Sequence, residues 1–311
     1  MAMSIEANVA AKPSRKSQLR RLLGGEAARG LALSSPIVVL MLALVFVPFV
    51  VTLWESFHRV NPMLPGTPFV GIKNYVQMFK DGQVHSAWIN TWIYVILAVV
   101  IEILGGLGAA LLLNKVKTGR RWLLAAVILP WALPPVVNAI IWSWINNPHY
   151  GLLNGLLLKT GLIEQSHVWL NDRATALFLI VLVHVWRMMP LNAVIILAAL
   201  QTIPNELYEA AKVDGASPLR TFRMITLPLI GGAFGIALTQ STITAFNLFD
   251  EAWILTGSSA ATRPIQSQIY MTAFQNLNFS YGMAMSITVM LVSIIVSAVY
   301  VRRVYRATRY D

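Results

Sequence analysis

The chain contains no cysteine among its 311 residues. Disulfide bonds, thiolate nucleophiles and cysteine-ligated metal sites are therefore excluded. Charged residues are also few, at 12% of the chain, and acidic residues are the scarcer kind, with 13 Asp and Glu against 24 Lys and Arg. A soluble domain must cover itself with polar surface, so this composition argues against that class of protein.

Nucleotide-binding and catalytic patterns are missing as well. The sequence has no Gly-x-x-x-x-Gly-Lys-Ser/Thr segment, and it therefore lacks a P-loop for ATP. It also lacks a Gly-x-Ser-x-Gly elbow, and none of its five histidines stands in the His-x-x-x-His spacing of a metal site. We therefore expect no catalytic residue and no metal ligand in this chain.

Long apolar runs dominate what is present. Hydrophobic residues make up 57% of the chain, and the mean hydropathy is +0.63. The runs predict an all-α, polytopic membrane protein with six transmembrane helices, which follow a basic tail at residues 1–33. Kinks are expected at Pro48 in the first span and at Pro130, Pro134 and Pro135 in the third. The predicted spans cover residues 34–57, 87–113, 122–145, 174–200, 229–249 and 283–301.

The basic residues predict the orientation of these spans. Of the 24 Lys and Arg, 17 lie in the termini, the 115–121 turn and the 201–227 loop, against six in the three opposite loops. The positive-inside rule places the first group, and hence both termini, in the cytoplasm. Because these residues flank the apolar runs and form no separate basic domain, we expect contact with membrane lipid and no nucleic-acid partner.

One polar segment, residues 204–218, interrupts the apolar pattern between the fourth and fifth predicted spans. Pro204 suits the first turn of a helix, with Thr202 as its cap, and Gly215 suits the left-handed position that ends it. Ser217-Pro218 then predicts the start of a second short helix. The pattern indicates either a docking element for a partner or a well-capped connector.

This segment resembles the cytoplasmic EAA loop of binding-protein-dependent ABC importer permeases. Its motif is Glu209-Ala210-Ala211, followed by Gly215 and by Ile225-Thr226-Leu227-Pro228. The combination with other stretches is similar to the permease subunits of carbohydrate importers of the maltose and glycerol-3-phosphate type, over about residues 34–305. Those stretches are Phe69-Val70-Gly71-Ile72-Lys73-Asn74-Tyr75, Asn90-Thr91, Pro130-Trp131-Ala132-Leu133-Pro134, Trp142, Trp186-Arg187, Pro190, Phe249-Asp250 and Thr256-Gly257.

The resemblance implies an assembly in the bacterial cytoplasmic membrane. A second permease subunit would complete a heterodimer, an ATPase pair would bind ATP and Mg²⁺, and an extracytoplasmic solute-binding protein would deliver the solute. The chain itself would hold no cofactor. The resemblance assigns a coupling helix, which enters a cleft of the ATPase, to Glu209, Ala210, Ala211, Asp214 and Gly215.

One departure concerns the loop after the fifth span, where relatives often read Thr-Gly-Gly-Gly-Pro. This chain has Thr256-Gly257-Ser258-Ser259-Ala260, so the contact of this loop with the binding protein is carried over less directly.

Two charged residues, Glu102 and Arg187, lie near the middle of predicted spans. A charge at that depth costs roughly 2.5 to 3.5 kcal/mol on insertion scales, so neither should face lipid. Their depths in the two spans differ little. They could pair with each other, or each could have a separate partner.

A second set of polar residues indicates a solute path. Gln240, Thr244 and Asn247 share one helical face, and Asn138 and Trp142 are four residues apart. Such residues suit sugar hydroxyls and ring stacking, although hydrogen bonding between helices would require the same pattern.

Together these features predict a permease subunit of an ATP-driven importer for a sugar or sugar-like solute. Glycerol-3-phosphate or another non-sugar solute is the alternative within the same class. An intramembrane enzyme or a stand-alone channel is the alternative of a different class.

Overall fold

The computed structural model describes residues 26–257 and 259–307, and its regular structure is helical. Within these residues no β-strand forms, and a single bridge joins His58 to Phe69. Of the predicted basic tail, residues 1–33, residues 1–25 lie outside the described residues, and residues 26–33 belong to the helix Glu26–Met41. The chain divides into two compact units, Met1–Trp54 and Glu55–Asp311.

The first unit contains one apolar helical run. It consists of α1 (Glu26–Met41), a π-helical turn (Leu42–Phe46) and α2 (Val47–Glu55), whose last residue opens the second unit. The stretch Ala32–Glu55 is long and apolar enough to cross a membrane. The π-helical turn ends just before Pro48, the predicted kink, because a proline cannot donate the backbone hydrogen bond that a regular α-helix needs.

The second unit contains thirteen helices in the described residues and two further π-helical turns, Phe222–Thr226 and Met271–Gln275. A short helix, α3, forms at Lys73–Met78 in the loop between the first two predicted spans. The helices are α3 (Lys73–Met78), α4 (Gly82–Lys115), α5 (Arg120–Ala132), α6 (Pro135–Ile145), α7 (Leu152–Lys159), α8 (Arg173–Leu200), α9 (Asn205–Val213), α10 (Pro218–Thr221), α11 (Leu227–Leu229), α12 (Gly231–Phe246), α13 (Asp250–Thr256), α14 (Ile265–Tyr270) and α15 (Phe279–Ala307).

Four helices in the described residues are long and apolar enough to cross a membrane, and six spans result if each of two bent pairs counts as one. The pair α5 and α6 bends by 95° between Ala132 and Pro135, within the predicted proline-rich bend. The second pair, Pro218–Leu229 with Gly231–Phe246, bends by 70°. This break, at Ile230, lies next to the predicted start of the fifth span at residue 229, after the short helix expected from Ser217-Pro218.

Two of the three longest helices in the described residues, α4 and α8, begin at aspartate caps. Asp81 accepts hydrogen bonds from the backbone N–H groups of Gln83 and Val84, so α4 begins five residues before the predicted span. Asp172 caps α8 and accepts from the backbone and the hydroxyl of Thr175. These hydrogen bonds lower the pKa of the Asp172 carboxyl, because they favour its ionised form.

Helices α4 and α8 pack closely at the centre of the second unit. Tyr94, Ile180 and Ile196 are fully buried there. A Cβ atom on Gly106 would lie 2.9 Å from Cβ of Asn192 and 3.2 Å from the backbone nitrogen of Ala193. The absence of a side chain at residue 106 therefore sets the separation of the two helices, as small residues do in lipid.

Replacing Gly106 by alanine is expected to destabilise the second unit by about 1 to 3 kcal/mol, because the added methyl group meets backbone that cannot move aside. Gly108 is the matched control, since a Cβ there meets nothing within 4 Å. Thermal unfolding of the two purified variants in detergent measures the difference. Equal unfolding temperatures for Gly106→Ala and Gly108→Ala would show that the contact does not limit packing.

Residues 250–282, which the sequence leaves as a loop between the fifth and sixth predicted spans, are largely helical. They contain α13, α14 and the π-helical turn Met271–Gln275, and Ile265, Ser267 and Gln268 are buried. The expectation of a loop was therefore wrong over these helices. Helix α14 packs against α4 and α15, and the π-helical turn packs against α15.

Candidate functional site

A chain of polar side chains runs through the interior of the second unit. Nε2 of His184 on α8 lies 3.4 Å from Oε1 of Glu102 on α4, and its Nδ1 lies 3.1 Å from Oε1 of Glu251 on α13. All three residues are at most 1% exposed. Nδ1 of His184 makes a hydrogen bond with Glu251, whereas Nε2 lies at ion-pair distance from Glu102 without a hydrogen bond. A protonated His184 would balance one of the two carboxylates beside it.

The chain continues at both ends. At one end Nη2 of Arg187 lies 3.3 Å from Oε1 of Glu251, and this arginine is 16% exposed. At the other end Nδ2 of Asn192 donates to Oε2 of Glu102 at 3.3 Å and to Oγ of Ser241 on α12 at 2.7 Å. These contacts link α4, α8, α12 and α13. We call these six residues the buried polar network.

The sequence allows either a direct Glu102–Arg187 pair or separate partners for the two residues, and the structure has separate partners. His184 lies beside Glu102, and Arg187 bonds to Glu251. Glu102 and Arg187 do not pair directly because Glu251 lies next to Arg187. Glu251 belongs to the stretch that the sequence predicts as a loop. With His184 charged, two carboxylates face one imidazolium and one guanidinium, which is the balance that an apolar interior requires.

Asn138 and Trp142, two of the proposed path residues, pack against α8. Asn138 is 1% exposed and donates from Nδ2 to the carbonyl oxygen of Val183 at 3.3 Å. The ring of Trp142 meets that of Trp186 edge to face, with centroids 6.2 Å apart. In this structure both side chains therefore contact neighbouring helices.

The predicted stripe Gln240, Thr244 and Asn247 makes the following contacts. The hydroxyl of Thr244 donates to the carbonyl oxygens of Gln240 and Ser241, within its own helix. Asn247 is exposed and accepts from Nε2 of Gln266 at 2.8 Å. Asn247 also lines a cavity of about 700 Å³ between the end of α12 and α15.

The polar segment 204–218 folds as helix, glycine and helix. Helix α9 ends in a Schellman motif, in which the N–H of Ala216 donates to the carbonyl of Ala211 at 2.9 Å and the N–H of Gly215 donates to that of Lys212 at 3.1 Å. Gly215 has φ of +70°, a conformation that most side chains disfavour. The predicted ending of this helix at Gly215 is thus confirmed.

The beginning of α9 differs from the expectation. Pro204 is the N-cap residue and lies outside the first turn, and Asn205 is the first helical residue. The hydroxyl of Thr202 donates to the carbonyl of Ala199 and does not cap the helix. The preceding helix α8 ends so close to Pro204 that Thr202 hydrogen-bonds to the last turn of α8. Ser217 does cap α10, as expected, by accepting from the N–H of Arg220.

The segment 204–218 shows most of its surface to the outside. Glu209, Ala210, Asp214 and Gly215 are exposed, and Ala211 faces inward. The apolar side chains Leu207, Val213 and Leu219 are 41%, 88% and 59% exposed. A hydrogen bond between the hydroxyls of Tyr208 and Thr226 ties α9 to the helical stretch that follows α10. The exposed small residues Ala210 and Gly215 are thus flanked by apolar side chains, on a helix that Tyr208 ties to the following helical stretch.

The loop between α13 and α14, which departs from the resembled pattern, is tied to the body of the unit. Tyr94 donates to the carbonyl of Thr262 at 2.6 Å, and Asn90 donates to that of Arg263 at 3.1 Å. Arg173 donates to the carbonyl of Ala261 and to Oδ1 of Asn90. Asn90, part of the Asn90-Thr91 pair noted in the sequence, therefore holds this loop in place.

A metal site is not indicated by the arrangement of these residues. In the described part of the chain, no group of three or more His, Asp or Glu side chains is placed to hold a metal ion. His184 and the two glutamates of the buried polar network contact one another and residues of their own network.

Comparison with solved structures agrees with this architecture. A chain in the crystal structure of a bacterial ABC transporter involved in the import of the acidic polysaccharide alginate superposes with a TM-score of 0.79. The alignment covers 94% of this chain and 99% of that chain at 21% sequence identity. The two chains share a fold.

Sequence relatives show the family. The trehalose/maltose transport system permease protein MalF of Thermococcus litoralis is 34% identical over 281 residues, 89% of this chain and 94% of that protein. The sn-glycerol-3-phosphate transport system permease protein UgpA of Yersinia pestis is 33% identical over 264 residues, 83% of this chain and 88% of that protein. The family model described as "binding-protein-dependent transport system inner membrane component" matches residues 102–310. The chain therefore belongs to this family, the membrane permease subunits of ABC importers.

Proposed function

We propose that this permease subunit carries a sugar or sugar-like solute across the bacterial cytoplasmic membrane. The relative with 34% identity over 89% of the chain is a trehalose/maltose permease, and a relative with 32% identity serves sulfoquinovosyl glycerol transport. The cavity beside Asn247 supports a neutral solute, because the residues that line it are all uncharged. A phosphorylated solute would call for cationic partners.

The segment 204–218 is the proposed docking element for the partner ATPase. The observation that carries this proposal is the exposed helix α9, which ends in a glycine-dependent Schellman motif and presents the small residue Ala210. Small side chains allow a helix to enter a cleft of another protein. Glu209, Ala210, Ala211, Asp214 and Gly215 form the coupling surface.

The proposed topology has six spans, with each bent pair counted as one, and both termini in the cytoplasm. The distribution of Lys and Arg supports it. A second permease subunit forms a heterodimer with this chain, and an extracytoplasmic binding protein delivers the solute. ATP and Mg²⁺ belong to the ATPase pair, since this chain has no P-loop. This subunit is a translocation component and not a catalyst.

The solute path is proposed to include Gln240, Thr244 and Asn247, together with Asn138 and Trp142. Asn247 has the most support among these residues. It lines the cavity, and its amide oxygen accepts a hydrogen bond from one side chain, Gln266. Asn138 and Trp142 could reach the path only if α6 and α8 move apart during transport. Such motion is expected of a chain that alternates access between two sides.

Glycerol-3-phosphate is the second candidate solute, because the relative from Yersinia pestis is a permease for it. A stand-alone channel or an intramembrane enzyme would be a different class of function. Neither would require an exposed docking element or a partner.

Reconstitution of the complex in liposomes tests the proposal. ATP hydrolysis is measured with maltose, trehalose and sn-glycerol-3-phosphate, each in the presence of the cognate binding protein. We expect stimulation by a neutral sugar. Stimulation by sn-glycerol-3-phosphate alone would favour the second candidate, and solute flux through the purified chain without ATP would indicate a channel.

A further inference from the structure

The turn between α4 and α5 carries four cationic side chains. Lys115, Lys117 and Arg121 are exposed, and Arg120 is partly exposed. We call these four residues the basic turn. The sequence from residue 103 to residue 163 contains no Asp or Glu, and none of the four side chains forms an ion pair with a described residue. The positive charge of the basic turn is therefore not balanced within the described part of the chain.

The guanidinium group of Arg120 has hydrogen-bond donors without an acceptor. Its Nε and Nη2 atoms are shielded from solvent, yet neither has a hydrogen-bond partner among the described residues. A buried donor without a partner costs free energy, and the cost is larger for a charged group than for a neutral one. An anionic group from outside the chain would supply the missing acceptor.

The beginning of α5 lies at the same place. Its N-cap residue, Gly119, provides no side-chain hydrogen bond to the helix. The first N–H groups of an α-helix have no acceptor within the helix, and they form the positive end of its dipole. Because α5 starts at Arg120, these N–H groups lie beside the guanidinium groups of Arg120 and Arg121. The helix end and the two side chains therefore favour the same negatively charged ligand.

Apolar side chains flank the basic turn on both helices. Leu112 on α4 is 69% exposed, and Trp122 and Leu123 on α5 are 70% and 46% exposed. The guanidinium carbon of Arg121 lies 5.4 Å from the centre of the Trp122 ring, within the range of a cation–π contact. Tryptophan is enriched at the level of the membrane where lipid headgroups meet acyl chains. The basic turn is therefore placed at the level of the headgroups.

We propose that the basic turn binds the headgroup phosphate of an anionic phospholipid, whose acyl chains lie along Leu112 and Leu123. A phosphate offers acceptor oxygens to the guanidinium of Arg120 and to the N–H groups of α5. Four cations favour a lipid with net negative charge, since the ammonium group of a zwitterionic lipid would be repelled. Inorganic phosphate would match the cations and would leave the exposed leucines unused. This inference concerns a lipid and does not rest on the proposed solute.

The bound lipid should stabilise the folded chain by mass action, because it binds the folded state and not the unfolded one. Arg120 should contribute to this stabilisation only when the lipid is present. In detergent without lipid, its shielded nitrogen atoms lack an acceptor. Arg120→Gln should therefore unfold no earlier than the wild type in lipid-free detergent, which separates a loss of lipid binding from a loss of folding.

The experiment uses the purified full chain in detergent. Phosphatidylglycerol or phosphatidylcholine with the same acyl chains is added, thermal unfolding gives the stabilisation, and native mass spectrometry gives the lipid affinity. We expect phosphatidylglycerol to raise the unfolding temperature more than phosphatidylcholine does. Arg120→Gln should weaken phosphatidylglycerol binding about five- to tenfold, the effect of one cation beside a lipid headgroup. Arg120→Lys keeps the charge and should fall between Arg120→Gln and the wild type.

Arg220→Gln is the matched control, because Arg220 on α10 is exposed and its replacement removes the same charge. It should keep the wild-type affinity for phosphatidylglycerol. Equal losses of affinity in Arg120→Gln and Arg220→Gln would overturn the proposal, and so would equal stabilisation of the wild type by the two lipids.

Two further results would assign the basic turn to a different ligand. Stabilisation by inorganic phosphate equal to that by phosphatidylglycerol would indicate a site for free phosphate. If Arg120→Gln kept the lipid affinity and lost the partner ATPase during purification of the complex, the basic turn would bind an acidic protein surface. Either result overturns the lipid site and leaves the proposed transport function standing.

Discussion

Replacing Glu251 by leucine is expected to lower the free energy of unfolding by about 3 to 5 kcal/mol, the cost of removing one partner from a buried ion pair. Glu251 accepts from His184 and Arg187 and is 1% exposed. Its loss leaves an imidazolium and a guanidinium without their shared acceptor in an apolar interior. Thermal unfolding of the purified chain in detergent measures the effect.

Asp250→Leu is the matched control for Glu251→Leu. It makes the same change at the adjacent residue, which is half-buried and belongs to the same helix, α13. Glu251→Gln keeps an acceptor oxygen and should fall between the wild type and Glu251→Leu. If Glu251→Leu and Asp250→Leu unfold at the same temperature, the buried polar network does not hold α13 in place.

Replacing Gly215 by valine is expected to uncouple ATP hydrolysis from the solute. Gly215 has φ of +70°, where a β-branched side chain costs about 1 to 2 kcal/mol, so the equilibrium constant for the docking conformation of α9 falls about 5- to 30-fold. Sugar-stimulated hydrolysis by the reconstituted complex should fall, by at most the same factor. The long helices should unfold at their wild-type temperature, since a Cβ at residue 215 meets nothing within 4 Å.

Gly119→Val is the matched control for Gly215→Val, because Gly119 has φ of +74° in another turn and also has open space around it. It introduces the same strain away from α9 and should keep the stimulation. Gly215→Asn, which tolerates a positive φ, should retain most of the coupling. Stimulation that survives in Gly215→Val would contradict the assignment of α9 as the coupling helix.

Much of the fold could be predicted because long apolar runs, and the Pro and Gly residues that bend or end helices, are visible in the local sequence. Apolar length indicated the helices, Pro134 and Pro135 indicated the bend before α6, and Gly215 indicated the end of α9. The helix boundary near Ile230 was also indicated, since the fifth span was predicted to begin at residue 229. The 70° bend at this boundary was not predicted, because Gly231 and Gly232 are also found in regular transmembrane packing.

The buried polar network could not be predicted in full because it depends on contacts between distant residues. Glu102 and Arg187 were recognised as costly charges, yet their partners, His184 and Glu251, lie 82 and 64 residues away in sequence. Glu251 follows the apolar run of α12 and was assigned to a loop. Only the folding of α13 back against α8 brings its carboxylate to Arg187.

Site-directed cross-linking tests the central claim most directly, namely that segment 204–218 docks on the partner ATPase. The chain has no cysteine, so a cysteine introduced in place of the exposed Ala210 is the one thiol in this subunit. A short thiol-reactive cross-linker then joins this residue to whichever neighbouring subunit it contacts. Ala210→Cys should yield a product with the ATPase subunit, and Gln165→Cys, on the opposite predicted side, should yield none. A product with the ATPase from Gln165→Cys, and none from Ala210→Cys, would contradict the account.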